Sequence, residues 1–121
     1  METLVLFHSG FRWLVLAALI GGTILALMRH RQKAQWSPES VKPFAMTMAL
    51  FDIQVLVGLI LVFVNGLPEG RPDHPFIMFA ALVIGHISAG KARKTESDRG
   101  YFVVGCGLVL VLLLTFLAIP W

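Results

Sequence analysis

The chain has 121 residues, of which 57% are hydrophobic and 14% are charged, and its formal net charge is +3. Soluble globular domains carry about 25% charged residues, so this composition excludes an ordinary soluble domain. Outside its long apolar stretches, too few residues remain for a separate nucleotide-binding domain or a phosphate-binding loop.

Four apolar stretches follow one another along the chain, each close to the roughly 20 residues that a helix needs to cross a bilayer. They cover about residues 4–28, 44–65, 75–90 and 101–119. Short connections between helices favour sequential antiparallel neighbours. The sequence therefore predicts one domain over residues 1–121, an all-α transmembrane four-helix bundle in up-down-up-down order.

Basic residues concentrate in the first and third connections between these stretches. They are Arg29, Arg31, Lys33 and Lys42 in the first, and Lys91, Arg93, Lys94 and Arg99 in the third. Short loops rich in Lys and Arg stay in the cytoplasm, which predicts a multi-pass protein of the bacterial inner membrane with both termini on the outer side. Contact with anionic lipid head groups explains these charges more simply than nucleic acid does, so we expect no nucleic-acid partner.

The first span carries His8 and Arg12, which lie one helical turn apart on the same face. His74 comes directly before the third span, diagonally across a four-helix bundle and near the same outer surface. Two imidazoles on opposed helices at similar depth are what axial ligation of a haem iron requires, and a guanidinium at Arg12 suits the propionates. Histidine is also tolerated at a helix end without any partner, and the residues alone favour that simpler interpretation.

The second span carries Asp52 and Gln54, which project from nearly opposite sides of the helix. Neither side chain should face lipid. Arg12 falls at a similar depth and is the expected partner of Asp52, in an ion pair that is either structural or functional. Gln54 is expected to bridge helices by hydrogen bonds, and contact with a quinone head group or a haem edge is the alternative.

Met78 and His86 complete the candidates in the third span. Met78 lies one turn below His74 on the same face, so a Met/His ligand set is conceivable, although membrane methionines usually pack. His86 is rotated by about 120° from His74, and one flat cofactor cannot easily use both. It could meet Asp52 or His30 as a proton-relay pair or second ligand set, while a hydrogen bond to a backbone carbonyl is the simpler role.

Five short segments are distinctive across the chain. They are residues 6–14 (LFHSGFRWL), 52–58 (DIQVLVG), 73–78 (DHPFIM), 91–94 (KARK) and 119–121 (IPW). Together they resemble a group of small four-span bacterial membrane proteins described as cytochrome-b-like. The resemblance implies a four-span fold with histidines at the positions of His8 and His74.

The residues and the resemblance together predict a membrane electron-transfer protein that binds one haem b near the outer face. His8 and His74 would ligate the iron, and Arg12 would lie near the propionates. The expected partners are the lipid bilayer, a quinone, other redox subunits of a larger complex, or further copies of the chain. A cofactor-free accessory subunit is the first alternative, and a proton or metal transporter using Asp52 and His86 is the second.

Overall fold

The computed structural model describes residues 2–95 and 99–118, and four long helices dominate it. They are α1 (Glu2–Arg31), α2 (Lys42–Asn65), α3 (His74–Arg93) and α4 (Arg99–Ala118), with a short 3-10 helix (Pro38–Val41) before α2. Each long helix is long and apolar enough to cross a membrane. The predicted all-α four-helix bundle is therefore confirmed, and the chain is a multi-pass membrane protein.

The observed helices begin and end close to the predicted spans, with the largest extensions at two carboxyl ends. The last turn of α1 contains Arg29, His30 and Arg31, and the last turn of α3 contains Lys91 and Arg93. Basic side chains there complement the negative end of the helix dipole, so both helices continue past the point where hydropathy falls. The final residue of the predicted fourth span, at position 119, lies outside the described residues.

The helices form a ring in which α1 and α3 are diagonal. Helix α1 packs against α2 and α4, and α3 packs against the same two neighbours. Leu19, Phe51 and Val111 fill the centre and are fully buried. The hydroxyl of Thr115 donates to the carbonyl of Val111 at 2.7 Å within α4, which satisfies a buried polar group without another helix.

Basic side chains mark one end of the bundle, which we call the basic end. It comprises the end of α1, the start of α2, the end of α3 and the start of α4. Here Trp36 is buried, and its indole Nε1 donates to the carbonyl of Ala92 at 2.9 Å. Its ring meets that of Tyr101 edge-on, with centroids 4.8 Å apart. This contact closes the basic end with packed aromatic rings.

The other end, which we call the loop end, carries the connection between α2 and α3. Helix α2 stops at Gly66, whose φ of 81° is favourable for glycine and ends the helix. Helix α3 restarts at His74 with Pro75 in its first turn, where the fixed φ of proline suits a helix start. The glycine that ends α2 and the proline that starts α3 thus place His74 at the rim of the bundle.

The outer surface of the helices is strongly apolar. Its most exposed large side chains are Leu6, Met46, Phe63, Phe76, Leu113 and Leu117. Contiguous apolar surface of this kind is unusual on a soluble protein and suits contact with lipid chains. The fold therefore agrees with a lipid bilayer as the surrounding phase.

Candidate functional site

A cavity of about 360 Å³ opens at the loop end of the bundle, a volume within the range of small-molecule sites. Its wall includes His8, Arg12, Gln54, His74 and Met78. These five residues come from three helices, and all were candidates from the sequence. We call this space the histidine cavity. It brings together every predicted site residue except Asp52 and His86.

The two histidines face the same space from the diagonal helices α1 and α3. The ring centroids of His8 and His74 are 6.4 Å apart, and the ring planes are 87° from parallel. Two imidazoles that each bind one metal through a nitrogen at about 2 Å have ring centres roughly 6 Å apart. The observed separation matches that spacing for two imidazoles on opposite sides of one metal ion, and it also lies within the range of an ordinary contact between two rings.

His74 is held in a defined tautomer by the end of α4. Its Nδ1 lies 2.8 Å from the carbonyl oxygen of Ala118. A carbonyl only accepts hydrogen bonds, so Nδ1 is the donor and carries a proton. In the neutral ring the lone pair then remains on Nε2. A histidine whose second nitrogen donates to a backbone carbonyl is the usual arrangement of a metal ligand.

His8 is held by two residues of α2. The side-chain Nε2 of Gln54 donates to the backbone carbonyl of His8 at 2.6 Å, which confirms the predicted helix-bridging hydrogen bond. The ring of His8 lies against Gly58, where an added Cβ would stand 3.2 Å from Cε1 of the histidine. Glycine at this position allows the imidazole to approach the α2 backbone.

Three buried polar atoms on the cavity wall have no hydrogen-bond partner within residues 2–95 and 99–118. They are Nδ1 of His8, Nε of Arg12 and Oε1 of Gln54. Buried polar groups are normally hydrogen-bonded, and each unsatisfied one costs about 1–3 kcal/mol. The side chains of His8 and Gln54 lie close enough to interact with each other, so Nε of Arg12 is the atom on this wall that a ligand with an acceptor group would satisfy.

The predicted ion pair between Arg12 and Asp52 is wrong. Arg12 lies at the histidine cavity, with its guanidinium carbon 5.0 Å from the ring centre of Trp13. Gln54 occupies the inward face of α2 and is only 6% exposed. Because Asp52 is two residues earlier, it is rotated by about 200° and points out of the bundle. A similar depth in the membrane therefore did not bring the charges of Arg12 and Asp52 together.

Asp52 instead meets His86, which was one of its predicted partners. Oδ1 of Asp52 lies 2.7 Å from Nε2 of His86, across the groove between α2 and α3. The side chains are 41% and 53% exposed, respectively. His30, the other predicted contact of His86, lies against the ring of Phe102 instead. The pair is thus on the outer surface and separate from the histidine cavity.

Arg71 also lines the cavity, and the sequence reasoning missed it. Its Nη2 donates to the carbonyl of Leu117 at 2.8 Å, and its Nε donates to Asp73 at 3.1 Å. The hydrogen bond from this guanidinium holds the pKa of the Asp73 carboxyl below its usual range. The sequence could have indicated this position, because Arg71 is only three residues before His74. A residue so close to His74 along the chain also lies close to the histidine cavity.

The fold and the site together define a multi-pass membrane protein with a histidine-lined cavity at one end of its bundle. Comparison with protein-family models, with curated proteins and with solved structures finds no match to this chain. The resemblance to cytochrome-b-like proteins therefore stays an expectation, and its last segment, residues 119–121, lies outside the described residues.

Proposed function

We propose that this protein is a cytochrome-b-like electron-transfer protein that binds one haem b in the histidine cavity. His8 and His74 would hold the iron, and Arg12 would lie beside the propionates. The proposal depends on one observation above all, the 6.4 Å separation of two imidazoles that reach the same cavity from diagonal helices. A bound haem would supply reversible one-electron chemistry.

The protein's own groups support this occupant. The hydrogen bond to Ala118 leaves Nε2 of His74 as the basic nitrogen. Nε of Arg12 lacks a partner within the described part of the chain, and Arg71 places a second guanidinium at the cavity. Guanidinium groups bind carboxylates by paired hydrogen bonds, so Arg12 would bind a propionate of the haem. The fork of Arg71 is already used by Asp73 and by the carbonyl of Leu117.

The apolar part of the cavity wall suits the rest of the macrocycle. Val15, Val55, Leu59 and Val62 lie between the polar groups. An apolar surrounding limits water near the iron and is one of the means by which proteins set a haem potential. Electron exchange with a quinone or with another redox subunit would take place from the loop end, where the cavity opens.

The charge distribution supports an orientation in the bacterial inner membrane. The basic end carries the Lys and Arg residues of both short connections, and such loops stay in the cytoplasm. The loop end, the histidine cavity and both termini would then lie on the outer side. Electron partners would therefore approach from the outer half of the membrane.

The first test is the visible spectrum of the purified protein, expressed with haem supplied. We expect a Soret band that shifts on reduction by dithionite, together with the sharp α band of a low-spin haem. Ligation by the imidazoles of His8 and His74 would favour that spin state. A protein without a Soret band would contradict the proposal and favour the cofactor-free accessory subunit.

A second test uses the close contact between Gly58 and His8. Gly58→Ala places a Cβ 3.2 Å from the His8 ring, which displaces the imidazole and weakens haem binding by roughly tenfold. Titration of haem into the apoprotein, followed at the Soret band, measures this change. Gly10→Ala is the matched control, because its Cβ meets no atom within 4 Å. Equal affinities for the two variants would argue against His8 as a ligand.

A further inference from the structure

The Asp52–His86 pair lies at a depth where lipid chains are expected. Asp52 is about 15 Å along α2 from Lys42, and His86 is about 18 Å along α3 from His74, at 1.5 Å per residue. Both positions fall inside a hydrocarbon core roughly 30 Å thick. The pair is therefore not at a membrane surface, where water would solvate it.

The pair also faces outward from the bundle. The side chains of Asp52 and His86 are 41% and 53% exposed, respectively, and Asp52 stands on the opposite side of α2 from the buried Gln54. Ionisable side chains within membrane spans almost always face protein or a water-filled cavity, because exposure to lipid is costly. This face of the protein accordingly needs a cover that hydrogen-bonds with both side chains.

The hydrogen-bonding capacity of the pair defines that cover. The 2.7 Å contact uses Oδ1 of Asp52 and Nε2 of His86, and it leaves Oδ2 and Nδ1 for other partners. In a low-dielectric surrounding the pair is most stable when it is neutral overall. A neutral pair has one proton in the contact between Nε2 and Oδ1 and one proton on Nδ1 of His86. The pair then presents Nδ1 as one donor and Oδ2 of Asp52 as one acceptor.

We propose that a second copy of this chain covers this face, so that the protein is a homodimer about a two-fold axis near the pair. Nδ1 of each His86 then donates to Oδ2 of Asp52 in the other copy. A two-fold interface is self-complementary, and a surface with one donor and one acceptor is satisfied by its own copy with nothing left over. The donor on His86 of one copy matches the acceptor on Asp52 of the other copy, and this complementarity identifies the second copy as the occupant.

Apolar side chains around the pair fit the same arrangement. Leu56 on α2 and Val83 on α3 are exposed and lie one helical turn from Asp52 and His86, respectively, on the same side of each helix. Together with Asp52 and His86 they form what we call the α2–α3 face. The neighbouring exposed Ala49 is small, and small residues let membrane helices approach closely.

Cysteine cross-linking of the full chain in lipid vesicles tests the dimer. Cys106, an exposed free cysteine, is first replaced by serine. Leu56→Cys and Val83→Cys are then added separately, with Leu113→Cys on α4 as the control because Leu113 is 60% exposed. We expect an oxidised dimer from at least one variant of the α2–α3 face and none from the control. Absence of a dimer at both test positions, or equal cross-linking of Leu113→Cys, would overturn the proposal.

The energetic role of the pair is tested by removing both partners. The double variant Asp52→Leu with His86→Leu is expected to raise the dimer dissociation constant by at least about tenfold, measured by energy transfer between labelled copies as lipid dilutes them. Leu113→Ala should leave that constant unchanged. An unaffected dimer in the double variant would overturn the role of the pair. If the variant does not fold, the cross-linking result alone decides, and neither experiment depends on haem.

Discussion

His8→Ala and His74→Ala are each expected to abolish low-spin haem binding, whereas His86→Ala keeps the spectrum of the unmodified protein. Each of the first two removes one of the two imidazoles at the histidine cavity, and His86 lies on the outer surface. Loss of a residue that only supports a metal ligand weakens binding 10- to 100-fold. Loss of the ligand itself should therefore weaken it by at least about a hundredfold. Haem titration and the reduced-minus-oxidised spectrum measure both effects.

Met78→Leu provides a second control within the same cavity. Met78 lines the wall one turn from His74, and leucine preserves its size and apolar character. With His8 and His74 as the ligands, this variant keeps the low-spin spectrum. Loss of that spectrum in Met78→Leu, with retention in His8→Ala, would replace the two-histidine set by a Met/His set. Loss of that spectrum in His86→Ala, with retention in His8→Ala and His74→Ala, would exclude the two-histidine set.

The fold was predictable because lipid leaves the backbone few choices. A spanning segment must satisfy its own backbone hydrogen bonds, so an apolar stretch of about 20 residues has to be a helix. The diagonal placement of α1 and α3 then followed from short connections and was confirmed. The helix ends were less accurate, because Arg31 and Arg93 continue helices whose hydropathy has already dropped.

The grouping of His8, Arg12 and His74 at one cavity was also predicted, because it depends only on depth and helical spacing. For Asp52 the sequence favoured Arg12 as the partner and gave His86 as one possible contact, and the structure has His86. Depth along a helix follows from counting residues, but the direction in which a residue faces depends on packing against neighbours. Gln54 and Asp52 could not both face inward, and the approach of the His8 ring to Gly58 favours the Gln54 face.

Contacts made by the connections between helices could not be predicted from the sequence, and the reason is different. Arg71 reaches the carbonyl of Leu117, and Trp36 reaches the carbonyl of Ala92. Each bond joins a loop to a helix end far along the chain, and no helical periodicity encodes such a contact. A tryptophan near a helix end is typical of the membrane interface, yet Trp36 is only 5% exposed because its indole packs inward.

Gly100→Ala is expected to destabilise the bundle by about 2–4 kcal/mol. An added Cβ at Gly100 would overlap the indole ring of Trp36. The ring cannot withdraw without breaking its hydrogen bond to Ala92 and its edge-on contact with Tyr101. Overpacking of this kind costs about 1–3 kcal/mol and a lost hydrogen bond about 1 kcal/mol. Thermal unfolding followed by circular dichroism should show a Tm lower by roughly 10 °C.

Gly21→Ala is the matched control, because it makes the same change in a helix where the new Cβ meets no atom within 4 Å. Alanine is favoured over glycine in a helix by up to about 1 kcal/mol, so this variant should be equal or slightly more stable. Replacing the indole removes the clash, and Gly100→Ala should therefore cost much less in a Trp36→Ala background. Equal Tm values for Gly100→Ala and Gly21→Ala would contradict the packing at the basic end. Because the histidine cavity lies at the other end, folded Gly100→Ala protein should still bind haem, which separates the stability of the bundle from the chemistry of its site.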